Sequence, residues 1–394
     1  MSGAIDGIKV VDLSRFIAGP YCGLLLADMG ADVVKVEKPG GEDARNLPPF
    51  AKGESLYLAA LNRNKRGVTL DYRHPCAIEV LTRLIRWADI LIENFRPGTM
   101  EKMGFGPEKA LEMNPGLIFV RCSGFGQTGP LKHRPGFDAI AQAMSGLMSL
   151  TGRENDPPLL AGTFCIDYAA GAHAAVGALA ALHSRNRTGK GQVVDVSLFE
   201  TAVSMLVGAI PDYQLNGAVP KRWGNRDRCA APCNAYSARD AWVYLACSSP
   251  GLWQRLCRIM GRQDLFEDPR FNSDKLRFQN VEELDEIVQS WVSGYKADEL
   301  VAMMDKQGIP CAKVCGIPDI VNDPHLLERQ QIVEVDHPTV GRMKLSGATV
   351  KFSETPGAVR LGPPLLGQHN QQVYQQELGY SEAEWQRMQD QGVC

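Results

Sequence analysis

The chain has 394 residues, 44% hydrophobic, 22% charged and 7% aromatic, and Lys+Arg 42 against Asp+Glu 45 leave a net charge of -3. That balance excludes the broadly basic surface of a nucleic-acid binder, and so apolar a composition excludes a disordered chain. Neither a secretory leader nor a stretch of the roughly 20 apolar residues that a membrane span needs is evident, so a cytoplasmic or organellar-matrix protein of two domains is expected.

From the first residues onward, short β-rich runs alternate with helical ones. Ile8–Ser14 reads as a strand, Gly19-Pro20 opens a helix over Tyr21–Met29, and Ala31–Glu37 is the next strand. Gly67–Asp71 is a third strand. The spacing of Ile78, Leu81, Leu84 and Ile85 predicts a helix over about 76–87. Asp89–Phe95 and Leu117–Cys122 complete five strands. Such alternation implies a doubly wound α/β layer with a parallel, Rossmann-like sheet. Helices are then expected over 137–150 and 168–185, a strand over 193–198 and a helix over about 200–214. The Ala/Gly-rich helix near 168–185 needs close backbone approach to repay glycine's cost of about 1 kcal/mol per residue. Around 217–233 the pattern loses its period. The expected division is therefore a large domain over 1–216, linkers and a smaller α+β domain over 217–328, and a return to the large domain over 329–394.

Eleven scattered cysteines suit structural thiols. The pairs Cys229/Cys233 and Cys311/Cys315 lack the spacing and nearby His of a zinc site, so no metal is expected. Gly124-Phe-Gly126-Gln-Thr-Gly129 satisfies the dinucleotide pattern, but Pro130 and Pro135 make the next segment a loop rather than the helix the fingerprint requires. A nicotinamide cofactor is not expected.

Two features remain. Arg15, Lys38, Lys65, Arg66, Arg73, Lys102, Lys132 and Arg134 fall near strand ends, where open α/β sheets bind ligands. Singly, each reads as a solvated charge; together they would suit a polyanion. Asp167 stands before the Ala/Gly helix, where the residues alone favour a helix cap over a catalytic role.

Taken together, Asp12-Leu-Ser-Arg-Phe-Ile-Ala-Gly-Pro20, Gly30-Ala-Asp-Val-Val-Lys-Val-Glu37, Asn64-Lys-Arg66, Glu93-Asn-Phe-Arg-Pro-Gly98, Ser123-Gly-Phe-Gly-Gln-Thr-Gly-Pro130, Asp167 with its helix and Thr188-Gly-Lys-Gly-Gln192 resemble the family III CoA-transferases. That group includes formyl-CoA and carnitine-CoA transferases, with α-methylacyl-CoA racemase as a sister branch. The resemblance implies an interlocked homodimer and acyl-CoA and carboxylic acid substrates, coenzyme A arriving as the thioester. It puts Asp167 in the position of the catalytic nucleophile, with Asp138 beside the reacting carbonyl. The CoA-contacting positions it implies are Phe16, Ile17, Ala18, Lys38, Leu70, Asp71, Tyr72, Arg73, Asn94, Phe95, Lys102, Met103, Arg134, Pro135, Gly136 and Phe137. Racemases carry a titratable His where this chain has Phe137, and two-face proton transfer needs two titratable groups, so transfer is expected rather than racemization. The segment 225–234 has no glycine run of the formyl-CoA transferase kind. Lys221-Arg-Trp-Gly224 and Leu366-Gly-Gln-His369 look more like relatives handling succinyl or glutaryl groups. A C4–C6 dicarboxylate is therefore expected, its distal carboxylate paired by Arg15, Arg222, Arg226 or Arg228.

Overall fold

The central strands, most of them runs rich in Val, Ile and Leu, are β1 (Lys9–Asp12), β2 (Asp32–Glu37), β3 (Lys65–Thr69), β4 (Ile90–Glu93) and β5 (Ile118–Ser123), which are almost wholly buried, and β6 (Gln192–Ser197), an edge strand that is largely exposed. The computed structural model, which describes residues 3–394, pairs them all in parallel, in the spatial order β3-β2-β1-β4-β5-β6. A parallel sheet needs crossover connections and cover on both faces. One face packs on α2 (Ala77–Trp87) through Val80, Leu81, Leu84 and Ile85. The other meets α1 (Ala18–Asp28) and α4 (Cys165–Thr188) through Leu26, Ala174, Ala178 and Leu182.

Helix α4 has 24 residues and is long and apolar enough, by length and composition, to cross a membrane. It extends three residues beyond the expected 168–185 at each end. Here it is a core helix, and its glycines mark the close approaches. A Cβ on Gly171 would lie 2.5 Å from the Ala18 carbonyl oxygen, and one on Gly177 2.6 Å from Val194. The helix expected over 200–214 is interrupted. Helix α5 (Leu198–Ser204) stops, Val207 turns at φ 48°, and a new helix runs Ala209–Asn216. Pro211 explains the break: its ring excludes a helical turn continuing from residue 207, and it is tolerated only in a first turn.

Contacts divide the chain into two units. The larger holds the chain up to Met148, Leu160–Pro211 and Asp323–Cys394; the smaller holds Ser149–Leu159 and Asp212–Asn322. The segment 149–159, expected in the first domain, is instead tied to 222–224 by Gly224 N–H donating to the Gly152 carbonyl and by Arg222. In the smaller unit, β7 (Cys233–Ser237), β8 (Trp242–Ala246) and β9 (Cys311–Lys313) form an antiparallel sheet in the order β9-β8-β7. Helices Pro250–Ile259, Val281–Val292 and Ala297–Lys306 bury Trp253, Leu284, Val288 and Leu300 in its core.

The C-terminal stretch borders the sheet at its β3 edge. His369 Nδ1 accepts from Gly67 N–H at 3.0 Å, and the His369 N–H donates to the Gly67 carbonyl at 2.9 Å. Asn370 accepts from Thr69 N–H at 2.8 Å, and Tyr374 donates to the Thr69 carbonyl at 2.7 Å. Three side chains and one backbone N–H thus take the place of a seventh strand beside β3.

Candidate active site

Strand order reverses between β1 and β4, and there the loops leaving the carboxyl ends diverge to opposite faces, opening a crevice. The β1–α1 loop is held by a buried charge network. Asp12 accepts from the Ser14 N–H and hydroxyl and pairs with Lys65 at 2.9 Å. Lys35 donates to the Ser14 carbonyl and pairs with Glu42 at 3.0 Å, while Glu42 accepts from Phe16 N–H at 3.0 Å. Burial opposes the charge on Asp12, but Lys65, Lys35 and Ser14 outweigh it and hold the carboxyl below its usual range. Across the reversal, Asn94 clasps Arg15, accepting from its N–H at 2.8 Å and donating to its carbonyl at 2.6 Å. Within this clamp Phe16 takes φ 63°, a left-handed conformation that non-glycine residues adopt only when their surroundings enforce it.

The crevice holds a pocket of about 290 Å³. Its walls are Arg15, Phe16, Ile17 and Ala18 from the first loop, and Asn94, Phe95, Arg96 and Pro97 after β4. Cys122–Gly124 after β5, Lys132, Arg134–Phe137, Asp43, Asp167 and Leu198 complete it. Close packing of Gly124 on Gly136 brings the 134–137 loop over the strand end, since a Cβ on Gly124 would sit 2.9 Å from the Gly136 Cα. The Phe16 and Phe137 rings meet edge to face at 5.9 Å. Four cations (Arg15, Arg96, Lys132, Arg134) face two carboxylates, so the wall is locally basic although the chain is not.

Asp167 occupies the first turn of α4, yet it is not the cap. Asp138, at the start of α3 (Asp138–Ser145), accepts from Ile166 N–H at 2.8 Å and Asp167 N–H at 3.1 Å, and Gln142 steadies its other oxygen. This overturns the capping role that the residues alone favoured for Asp167: a neighbouring helix supplies the acceptor. The Asp167 carboxylate is consequently left half-buried, with no hydrogen-bond donor of its own among the described residues. Burial, with the negative charge of Asp138 adding to it, pushes its carboxyl up to about 7.

Of the positions named from sequence, the pocket gathers Arg15, Phe16, Ile17, Ala18, Asn94, Phe95, Arg134, Pro135, Gly136, Phe137 and Asp167. Asp138 lies behind it, 4% exposed. Lys38, Arg73 and Lys102 are exposed outside its lining. Asp71 accepts from Arg73 N–H in a local turn. Tyr72 packs its ring on Phe95, and Met103 packs against the core. Leu70 is a correction, because its side chain is wholly buried and cannot meet a ligand. Lys65 and Arg66 are likewise spent: the first is buried on Asp12, and the second pairs with Asp32 at 2.6 Å and Glu377 at 3.3 Å. Arg222, Arg226 and Arg228 belong to the smaller unit. Arg222 donates to the carbonyls of Arg153, Glu154 and Asp156, Arg226 pairs with Asp285 at 2.7 Å, and Arg228 donates to the Lys221 and Leu150 carbonyls. Asp43 was not foreseen, and no motif marks it. Arg96 stands inside the Glu93–Gly98 run, which is the signal that could have found it.

The larger unit thus joins an open parallel sheet to a basic crevice in which one carboxylate has no donor among the described residues. The model of CoA-transferase family III matches residues 5–370, and the chain belongs to that family. It is 40% identical over 381 residues to the succinyl-CoA–D-citramalate CoA-transferase of Chloroflexus aurantiacus, covering 96% of this chain and 95% of that one. With the mouse succinyl-CoA:glutarate CoA-transferase it shares 33% over 391 residues, 99% of this chain and 90% of the relative. A CAIB/BAIF family protein from Brucella suis has the same fold, with a TM-score of 0.86 at 33% identity over 96% of this chain and 100% of that one.

Proposed function

We propose that this chain moves CoA between the thioester of one C4–C6 dicarboxylic acid and the free carboxylate of another, with Asp167 as nucleophile. The observation that carries the reading is the Asp167 carboxylate itself, unbonded and half-buried on the wall of a basic pocket. An ionised Asp167 oxygen attacks the thioester carbonyl and the C–S bond breaks, giving a mixed anhydride and CoA thiolate. The thiolate attacks the Asp167 carbonyl, the donor acid leaves as its carboxylate, and an aspartyl-CoA thioester remains. The acceptor carboxylate reverses both steps. Each exchange swaps chemically similar groups, so no ATP is needed.

Phe16, Phe95 and Phe137 offer apolar walls to the bound thioester, with Ile17, Ala18, Asn94 and the Arg134–Gly136 loop around it. Lys38, Arg73 and Lys102 are exposed cations suited to its phosphates, with Asp71, Tyr72 and Met103 shaping the approach. Asp138 holds the backbone that carries Asp167. Arg15 is the best-placed partner for a distal carboxylate, since it lines the pocket while Arg222, Arg226 and Arg228 are engaged within their own unit. An interlocked homodimer is part of this reading. Helix Ala209–Asn216 buries none of its residues and leaves Ile210, Tyr213 and Leu215 exposed, with Val207 97% exposed beside it.

The test is mass spectrometry of the intact protein after addition of succinyl-CoA. A CoA adduct on Asp167, cleaved by hydroxylamine and absent from Asp167→Asn, is expected. Turnover without any adduct would overturn the nucleophilic role.

A further inference from the structure

Of the two carboxylates on the pocket wall, Asp167 has a task in transfer and Asp43 has none. The Asp43 oxygens reach Lys38 Nζ at 2.9 Å and Arg15 Nη1 at 3.3 Å, and its side chain is 52% exposed. Its placement is nevertheless rigid. Asp43 begins the single 3₁₀ turn Asp43–Asn46, which is pinned on both sides. Before it, Glu42 donates its N–H to Glu37 at 3.0 Å, pairs with Lys35 and accepts from Phe16 N–H. Within the turn, Arg45 makes two bonds of 2.7 Å to Glu37. Arg15 is equally fixed, clasped by Asn94 and laid against the Phe16 and Phe95 rings at 5.9 and 5.6 Å. Its Nε is buried without a partner among the described residues. Arg15 and Asp43 are therefore anchored from below, and Lys38 reaches Asp43 from the exposed side, so the charged ends of all three stand in solvent.

We propose that Asp43 is a resident counter-ion, occupying the anion position between Arg15 and Lys38 until the anionic end of a substrate competes for it. This rests on the CoA-transferase reading. The competing group is a carboxylate of the dicarboxylic acid or a phosphate of CoA; both chemistries suit an Arg–Lys pair. Because exposed ion pairs are weak and salt-screened, the arrangement keeps the cations oriented without closing the site to ligands. It also sets a threshold: an incoming anion gains only the difference between its own pairing and that of Asp43.

Calorimetry of the full chain with succinate and with free CoA, at low and at high salt, tests this with the near-isosteric Asp43→Asn and the charge-conserving Asp43→Glu. Asp43→Asn is expected to tighten at least one dissociation constant about three- to tenfold at low salt, with the gain shrinking at high salt. Asp43→Glu should stay within about twofold of the parent. Tightening for succinate alone assigns the competitor as a carboxylate, for CoA alone as a phosphate, and for both as shared. Unchanged or weaker binding of both probes in Asp43→Asn overturns the proposal. Binding is read without turnover, so this failure is distinct from failure to find the Asp167 adduct.

Discussion

Each unit sets an aspartate in a polar cleft, and the two are treated in opposite ways. In the smaller unit, a cleft of about 710 Å³ contains Asp285, which accepts from the Tyr236 hydroxyl at 2.6 Å, Arg226 at 2.7 Å and Asn234 at 2.9 Å. The larger unit's pocket is less than half that volume, about 290 Å³, and its Asp167 finds no donor among the described residues. Size would favour the first cleft as the reactive one. Hydrogen bonding favours the second, because a carboxylate with three donors is a structural anchor, whereas an unbonded one keeps its lone pairs for chemistry.

The sharpest way to break this contrast is to remove each aspartate. Asp167→Asn is expected to lower the steady-state transfer rate by about 10³-fold or more while raising the melting temperature by a few degrees, since it removes a charge that the fold disfavours. Asp285→Ala should instead lower stability and spare the rate. It strands three donors, one of them Arg226, and is expected to cost about 2–4 kcal/mol in denaturant unfolding. The rate per folded molecule should stay within about threefold.

A pH series sharpens the same comparison. With Asp167 raised to about 7, the ionised form that the proposed attack needs is depleted below that pH, and single-turnover rates should fall about tenfold per unit from pH 6 to 5. Stability has the opposite sign. The folded state holds the proton more tightly than the unfolded one, so the Asp167 contribution weakens stability as pH rises from about 3.8 to about 7, and Asp167→Asn should lose that dependence. The smallest expected effect separates the arginines: Arg15→Gln should raise the KM for a dicarboxylic acid about five- to tenfold, and Arg222→Gln should leave it unchanged. Equal effects from the two would erase the distinction between the clefts.

Much of the larger unit was legible, because a buried parallel strand is written as a continuous apolar run. β2 was expected over Ala31–Glu37 and spans Asp32–Glu37; β5 was expected over Leu117–Cys122 and spans Ile118–Ser123. The break before Pro211 was equally open to a local reading, since proline bars a helix interior wherever it stands. What escaped depends on contacts far apart in the chain. The cap of α4 comes from Asp138, 29 residues before Asp167, and no local pattern distinguishes a carboxylate that caps its own helix from one spared that task by another. Lys65 read as a free cation because its partner, Asp12, lies 53 residues away.

The side chains that border β3 bear on how the protein is made. His369 and Asn370 lie about 300 positions beyond the backbone they satisfy. At a synthesis rate of about 5–20 residues per second, that edge stays open for roughly 15–60 s after Gly67 has been added. An unpaired parallel edge is a template for joining another chain. Ribosome-bound fragments ending before residue 369 therefore lack the groups that satisfy that edge.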